Sequence, residues 1–347
     1  MDFDTFHQAY PRMLRWLIEE PAYRNAPRGY ASREQLGVRF RLARADQRVP
    51  LVPARRLNIV FNFAEALWYL AGRDDLDFIG YYAPSIRKYS ADGHRLTGTA
   101  YGRALFGASE GRPDQWPAVV ETLRDDPDSK RAVIQIFRGE ELQVAGNPDV
   151  SCTLGLQFLL REGALHGVGF MRANDVYRGM TSDVFSFTFL QEMLARELGV
   201  PLGSYVHQVG SLHLYDPDHA RALEVLADPA ADEPPAREFP AMPEGDNWPY
   251  VREVLAVEEQ LRTGRHRLAA DPRTHGLPEY WTQVLVLFEV HRRIRGKEHV
   301  GEEQLTLLWP LYRRLVEERW PSVSPASVAS PVPAVPISVP VAVPAAG

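Results

Sequence analysis

The chain of 347 residues holds a single cysteine, Cys152, set in Asn147-Pro-Asp-Val-Ser-Cys-Thr-Leu-Gly. A lone cysteine is commonly a small buried hydrophobe. This one follows a Pro/Asp turn and stands at the mouth of an expected strand, which suits a presented nucleophile. A nucleophilic thiol needs a cationic neighbour to hold it as thiolate. Arg172 supplies that cation if the following strand pair carries it back to the sulfur.

Arg172 opens the run Arg172-Ala-Asn-Asp-Val-Tyr-Arg-Gly-Met-Thr-Ser-Asp183. A strand is expected to end on the arginine, and two carboxylates, Asp175 and Asp183, then flank a glycine before an apolar helix. Loop chemistry with Asp183 as a helix N-cap accounts for this run as well as a functional site does.

Six collinear segments resemble the thymidylate synthase family. They are Glu65-Ala-Leu-Trp-Tyr-Leu-Ala-Gly72, Gly98-Thr-Ala-Tyr-Gly102, Asp128-Ser-Lys130-Arg131, Cys152-Thr-Leu-Gly-Leu-Gln-Phe, the Arg172 to Asp183 run, and Val206-His-Gln-Val-Gly-Ser-Leu-His213-Leu-Tyr215. The resemblance spans roughly Arg24 to Pro240. It implies that Cys152 adds to C6 of a pyrimidine nucleotide, so that C5 attacks a one-carbon unit carried by 5,10-methylenetetrahydrofolate. Glu65 and Tyr101 would assist proton transfer. Arg172 and an N-terminal arginine, Arg28 or its rival Arg24, would hold the phosphate. Lys130 and Arg131 would reach that phosphate from the other subunit of a homodimer. His213 and Tyr215 would bind the sugar, and Asp175 the pterin ring. No metal is implied.

Departures from the family pattern refine this expectation. Asp183 stands where the family carries Asn. A carboxylate accepts from the cytosine N4 amino group, can stabilise a proton on N3, and repels uracil O4. Ala173 replaces a serine beside the sugar, leaving room for a ribose 2′-hydroxyl, which favours CMP over dCMP. Arg87, in Ser85-Ile-Arg-Lys, stands in place of a tryptophan that shields the transferred carbon from water; it is assigned to the folate side. Met171 and Thr153 replace a Gln and a His. Without that shield, and with no recognisable C-terminal closing segment, water should capture the carbon. The expected reaction is hydroxymethylation of CMP, releasing tetrahydrofolate, as in the CMP 5-hydroxymethylases of mildiomycin-type nucleoside antibiotic pathways. dCMP hydroxymethylation and true methylation are the nearest rivals. A non-catalytic nucleotide-binding protein and a thiol hydrolase are the remote ones.

Positioning these groups calls for an α/β (α+β) architecture, a mixed sheet packed with helices, with one sheet face forming a homodimer interface. Arg131–Phe137, Leu154–Leu160 and Ala164–Met171 read as strands, the last two joined by a hairpin at Arg161-Glu-Gly163. Leu57–Leu70 and Val184–Leu198 read as buried helices. Asp228–Trp248 reads as a long loop. Helices are expected over Tyr250–Arg262, Pro278–Ile294 and Glu302–Trp320. The domain division is a catalytic unit over 1–245, a helical extension over 246–320, and a Pro/Val/Ala-rich disordered tail over 321–347.

The net charge of −6 gives no field to attract a nucleic-acid polymer. The single cysteine fits a reducing compartment. The N-terminus, Met1-Asp-Phe-Asp, is acidic where a signal peptide would be basic, and no apolar run spans a bilayer. A cytoplasmic protein is expected.

Overall fold

Glu162 and Gly163 both take positive φ, 52° and 75°, and close a two-residue hairpin between two strands. This conformation matches the right-handed twist of paired strands. A computed structural model describes residues 1–107, 113–268 and 272–323. In chain order its strands are β1 (Asp2–Phe3), β2 (Tyr23–Asn25), β3 (Ser32–Leu42), β4 (Val133–Gln135), β5 (Thr153–Arg161), β6 (Ala164–Asp175) and β7 (Leu202–Tyr215). They form one mixed sheet in the order β1-β3-β7-β6-β5-β4, with β2 paired to β3. β6 and β7 run parallel, while β5 and β3 flank them antiparallel. A mixed α/β fold of sheet and covering helices is what the sequence led us to expect.

The helices that matter for the site are α1 (Phe6–Glu19), α2 (Ile59–Leu70), α3 (Leu76–Tyr82), α4 (Gly102–Leu105), α5 (Gln115–Asp125) and α6 (Met180–Leu198). Asn58 caps α2 by accepting from the Phe61 amide at 3.1 Å. α6 ends at Gly199 in the left-handed conformation, φ 69°. α2 and α6 pack together through Phe63, Phe185 and Phe189. Almost every side chain of α2 is buried, so its one carboxylate, Glu65, is buried with them.

Beyond α7 (His219–Ala227) the chain continues into α8 (Trp248–Arg262), α9 (Glu279–Arg295), α10 (Glu302–Leu305) and α11 (Pro310–Arg319). These helices share a continuous core with α2 and α6. Tyr280 and Tyr312 pack edge-on against Phe63, and Trp281 against Phe189. The single helix expected over Glu302–Trp320 is two, because Pro310 lacks an amide hydrogen and can only begin a helix. The first expected strand narrows to Val133–Gln135, and the third runs four residues further, to Asp175. Arg172 therefore lies within a strand and not at its end. The tail lies outside the described residues from 324 onward. No helix among the described residues is long and apolar enough to cross a membrane.

Candidate active site

Cys152 immediately precedes β5, and its carbonyl accepts from the Arg172 amide of β6 at 2.8 Å. The Arg172 side chain turns back over the same loop. Its Nε donates to the Ser151 carbonyl and its Nη2 to the Val150 carbonyl, both at 2.8 Å, leaving Nη2 3.7 Å from Cys152 Sγ. The strand pair thus delivers the cation to the sulfur. Burial pushes the thiol above its ordinary value, while Arg172 and, more weakly, Arg28 pull it down. Burial, joined by the charges of Asp183 and Asp149, outweighs both arginines, and the net shift is upward.

The turn carrying Tyr101 is fastened to the cysteine loop by Asp149. Its Oδ2 accepts from the amides of Thr97 and Gly98 at 2.8 and 2.9 Å, and its Oδ1 from the Thr99 amide at 3.0 Å. Ser151 Oγ completes the joint by donating to the Gly98 carbonyl at 2.9 Å. A Cβ on Gly98 would stand 2.1 Å from the Asp149 carbonyl oxygen, and one on Gly102 would stand 2.6 Å from that of Tyr69. Both glycines are required by close backbone approach. The buried Tyr101 ring stacks on Tyr69 with centroids 5.0 Å apart.

Two buried carboxyls, Glu65 and Asp183, stand close enough for the charge of one to act on the other. Glu65, on α2, accepts from Ser186 Oγ at 3.2 Å, and burial reinforced by the charge of Asp183 pushes its pKa up to about 8. Asp183 lies in the first turn of α6, which begins at Met180, so it is not the N-cap. Its Oδ2 accepts from Asn174 Nδ2 at 2.7 Å, and burial raises its pKa to about 7. Such carboxyls, neutral or charged within the working pH range, are the tools of proton transfer.

At the ends of β6 and β7, Asp175 and His213 are register partners, as are Ala173 and Ser211. The His213 and Tyr215 rings meet edge-on at 4.9 Å, and the Arg178 guanidinium lies 5.5 Å over Tyr215. Asp175 Oδ1 accepts from the amides of Tyr177 and Arg178, both at 2.8 Å. Its Oδ2 is buried without a hydrogen bond among the described residues, with Arg178 Nε 3.9 Å away. An acceptor without a hydrogen bond can take an N–H donor from a ligand.

Arg28 is exposed, with φ 54°, in the turn Pro27–Gly29. Its charge reaches Cys152, whereas that of Arg24 bears on His219. Arg87 is exposed as well; its Nη2 donates to the Leu76 carbonyl at 3.2 Å, and its guanidinium packs on Gly80. Lys130 and Arg131 are exposed just ahead of β4. The charges of Arg172, Asp183 and Arg28 act on Cys152, those of Glu65 and Tyr101 meet Asp183, and Asp175 links this group to His213 and Tyr215, with Ala173 two residues before it on β6. Sequence reasoning missed Asp149, Asn174, Ser186 and His207. Each acts by holding another group, and a side chain's partner across the fold leaves no local signal.

The profile of thymidylate synthases matches residues 8–243, more than half of the chain. The chain belongs to the thymidylate synthase family. The match ends just ahead of α8, so the last four helices lie beyond it. A deoxyuridylate hydroxymethyltransferase of Bacillus phage SP01 is 32% identical over 226 residues, which cover 62% of this chain and 58% of the phage protein. The chain therefore spans less than two thirds of that relative's length.

Proposed function

We propose that this thymidylate synthase family member transfers a one-carbon unit to C5 of a cytosine nucleotide, CMP in preference to dCMP, leaving a hydroxymethyl group. The observation that carries the reading is Asp183, a buried carboxyl whose charge acts on Cys152 and whose pKa is raised to about 7. A methylenetetrahydrofolate bound against Asp175 would supply the carbon.

Cys152 Sγ, as thiolate, forms a bond to C6. The C5=C6 π pair moves to C4–C5, and the C4=N3 pair moves onto N3, which takes the proton of Asp183. The ring then offers two donors, N3–H and N4–H, to a carboxylate that has just become an anion. Uracil in the same place offers an oxygen at C4, and the anion repels it. Splitting the substitution through a covalent adduct lowers its barrier, and a preorganised acceptor favours the adduct over the free base. Glu65 and Tyr101 serve the later removal of the C5 proton. Arg28 and Arg172 hold the phosphate, with Lys130 and Arg131 from a second copy. Apolar Leu36, Val133 and Leu154, exposed on the strands, support a pairing of copies through the sheet. Arg87, turned back on α3, favours an open cleft and attack by water.

The name of the phage relative favours one second reading, in which the base is uracil. A protonated Asp183 can donate to O4 and accept from N3–H. Mass analysis of products from CMP, dCMP, UMP and dUMP with methylenetetrahydrofolate decides among these readings. A hydroxymethyl product from CMP is expected; product from the uracil nucleotides alone would overturn the cytosine assignment. Release of dihydrofolate would mean methylation instead. A role in making a modified nucleoside, such as an antibiotic, and a cytoplasmic setting are consistent with such a product.

A further inference from the structure

Behind Asp183 stands a row of buried groups, Asn174, His207 and Tyr205. Asn174 Nδ2 donates to Asp183 Oδ2 at 2.7 Å, Asn174 Oδ1 lies 2.9 Å from His207 Nε2, and His207 Nδ1 lies 2.8 Å from the Tyr205 hydroxyl. All three side chains are essentially sealed from solvent. The direction of each bond follows from the first. An amide oxygen turned towards a carboxylate would be repelled, so Asn174 presents its NH2 to Asp183 and its oxygen to the ring. His207 Nε2 must then carry the hydrogen, and Nδ1 must accept from the tyrosine. Burial keeps this imidazole neutral, with a pKa of about 3, as a one-donor, one-acceptor link requires.

Two glycines make room for the row. A Cβ on Gly169 would lie 2.3 Å from the Tyr205 hydroxyl, and a Cβ on Gly179 would lie 3.1 Å from Asp183 Oδ2 and 3.3 Å from Asn174 Nδ2. The titratable groups around Asp183 are Glu65 and Tyr69 on α2, Tyr101 in its turn, Cys152 before β5, Asp175 on β6 and Tyr205 on β7. None of these is a cation. Among the described residues, the Asn174 amide is the one influence resolved on Asp183 that favours its charged form.

We propose that Asn174, locked by His207 and Tyr205, is a positioning and specificity-determining residue: it donates to Asp183 Oδ2, stabilises the anion left when the base takes the Asp183 proton, and keeps Oδ1 aimed at the N3–H and N4–H edge. Deepening the cytosine reading, it assigns a charge-stabilising role to residues that do not touch the substrate. A charge-assisted hydrogen bond in a dry site supports such a role.

The test uses the full chain carrying Asn174→Ala, His207→Phe or Tyr205→Phe. Difference infrared titration of the Asp183 carboxyl, against Asp183→Asn, gives its midpoint without any nucleotide. The expected result is a rise of about one pH unit in Asn174→Ala and smaller rises in the other two. Turnover of CMP should fall through kcat more than KM, and the CMP-over-UMP ratio of kcat/KM should drop about tenfold. Unmoved midpoints and an unchanged ratio, in variants that still melt cooperatively, would overturn the proposal. Because the infrared midpoint needs no base, a wild type that used only uracil nucleotides would sink the cytosine reading and leave the anion-stabilising role to be judged on the midpoint.

Discussion

Arg172 holds the carbonyls of Val150 and Ser151 while standing 3.7 Å from Cys152 Sγ. One guanidinium therefore both shapes the cysteine loop and biases the sulfur towards the anion. Arg172→Gln removes the charge and the fork together. Iodoacetamide alkylation of Cys152 should shift to higher pH, and kcat/KM should fall on the order of 10²-fold or more through misplacement. An unshifted alkylation profile would remove Arg172 from the activation of the thiol.

Glu65 sits in an apolar helix with a pKa of about 8, so near neutral pH it can hold a proton or release it. Glu65→Gln keeps the shape and abolishes the proton. A loss of about 10²- to 10⁴-fold in kcat with little change in KM is expected. A KM effect alone would mean that Glu65 only binds.

Both raised carboxyls also cost stability. A carboxyl whose folded pKa lies above its unfolded value favours the fold below the unfolded pKa, and that stability is lost as pH rises through the folded value. For Glu65 and Asp183 the window runs from about pH 4 to about pH 8. Glu65→Gln and Asp183→Asn should therefore melt above the wild type at about pH 8, by a margin that shrinks towards pH 5. Melting curves at the two pH values check this, and a constant margin would refute the linkage.

Gly98 is pressed against the Asp149 backbone, where a Cβ would approach to 2.1 Å. Gly98→Ala forces the Tyr101 turn and the cysteine loop apart. The expected destabilisation is about 1–3 kcal/mol in denaturant titration, with loss of activity beyond what unfolding explains. A fully active Gly98→Ala protein would show that the joint has no part in placing the cysteine.

Trp281 is wholly buried and donates its Nε1 to Asn247 Oδ1 at 2.7 Å while its ring meets Phe189. Trp281→Ala should cost about 3–5 kcal/mol. Because α6 carries both Phe189 and Asp183, loosening the C-terminal helices should also raise KM for the nucleotide. A stability loss with unchanged KM would confine those helices to scaffolding.

Local order in the chain already determined a good deal. The alternation and hairpin chemistry around Glu162-Gly163 specify the central strand pair, because positive φ at two successive residues suits one short turn. That pairing by itself predicts Arg172 returning to Cys152. The apolar run around Glu65 announces a buried carboxylate, and six collinear motifs announce the family. Tertiary structure decided the rest. Asp183 falls in the first turn of α6 because the helix already starts at Met180 with Gly179 as its N-cap, and its side chain takes a hydrogen bond from Asn174. Asn174, His207 and Tyr205 become a single row only where β6 and β7 lie side by side, in a pairing that no spacing along the chain encodes. The pattern over Glu302–Trp320 read as one helix, yet Pro310 divided it, and the second part packs Tyr312 against Phe63. Hydrogen bonds and charge effects fall off over a few ångströms, so they are decided by which surfaces meet across the fold.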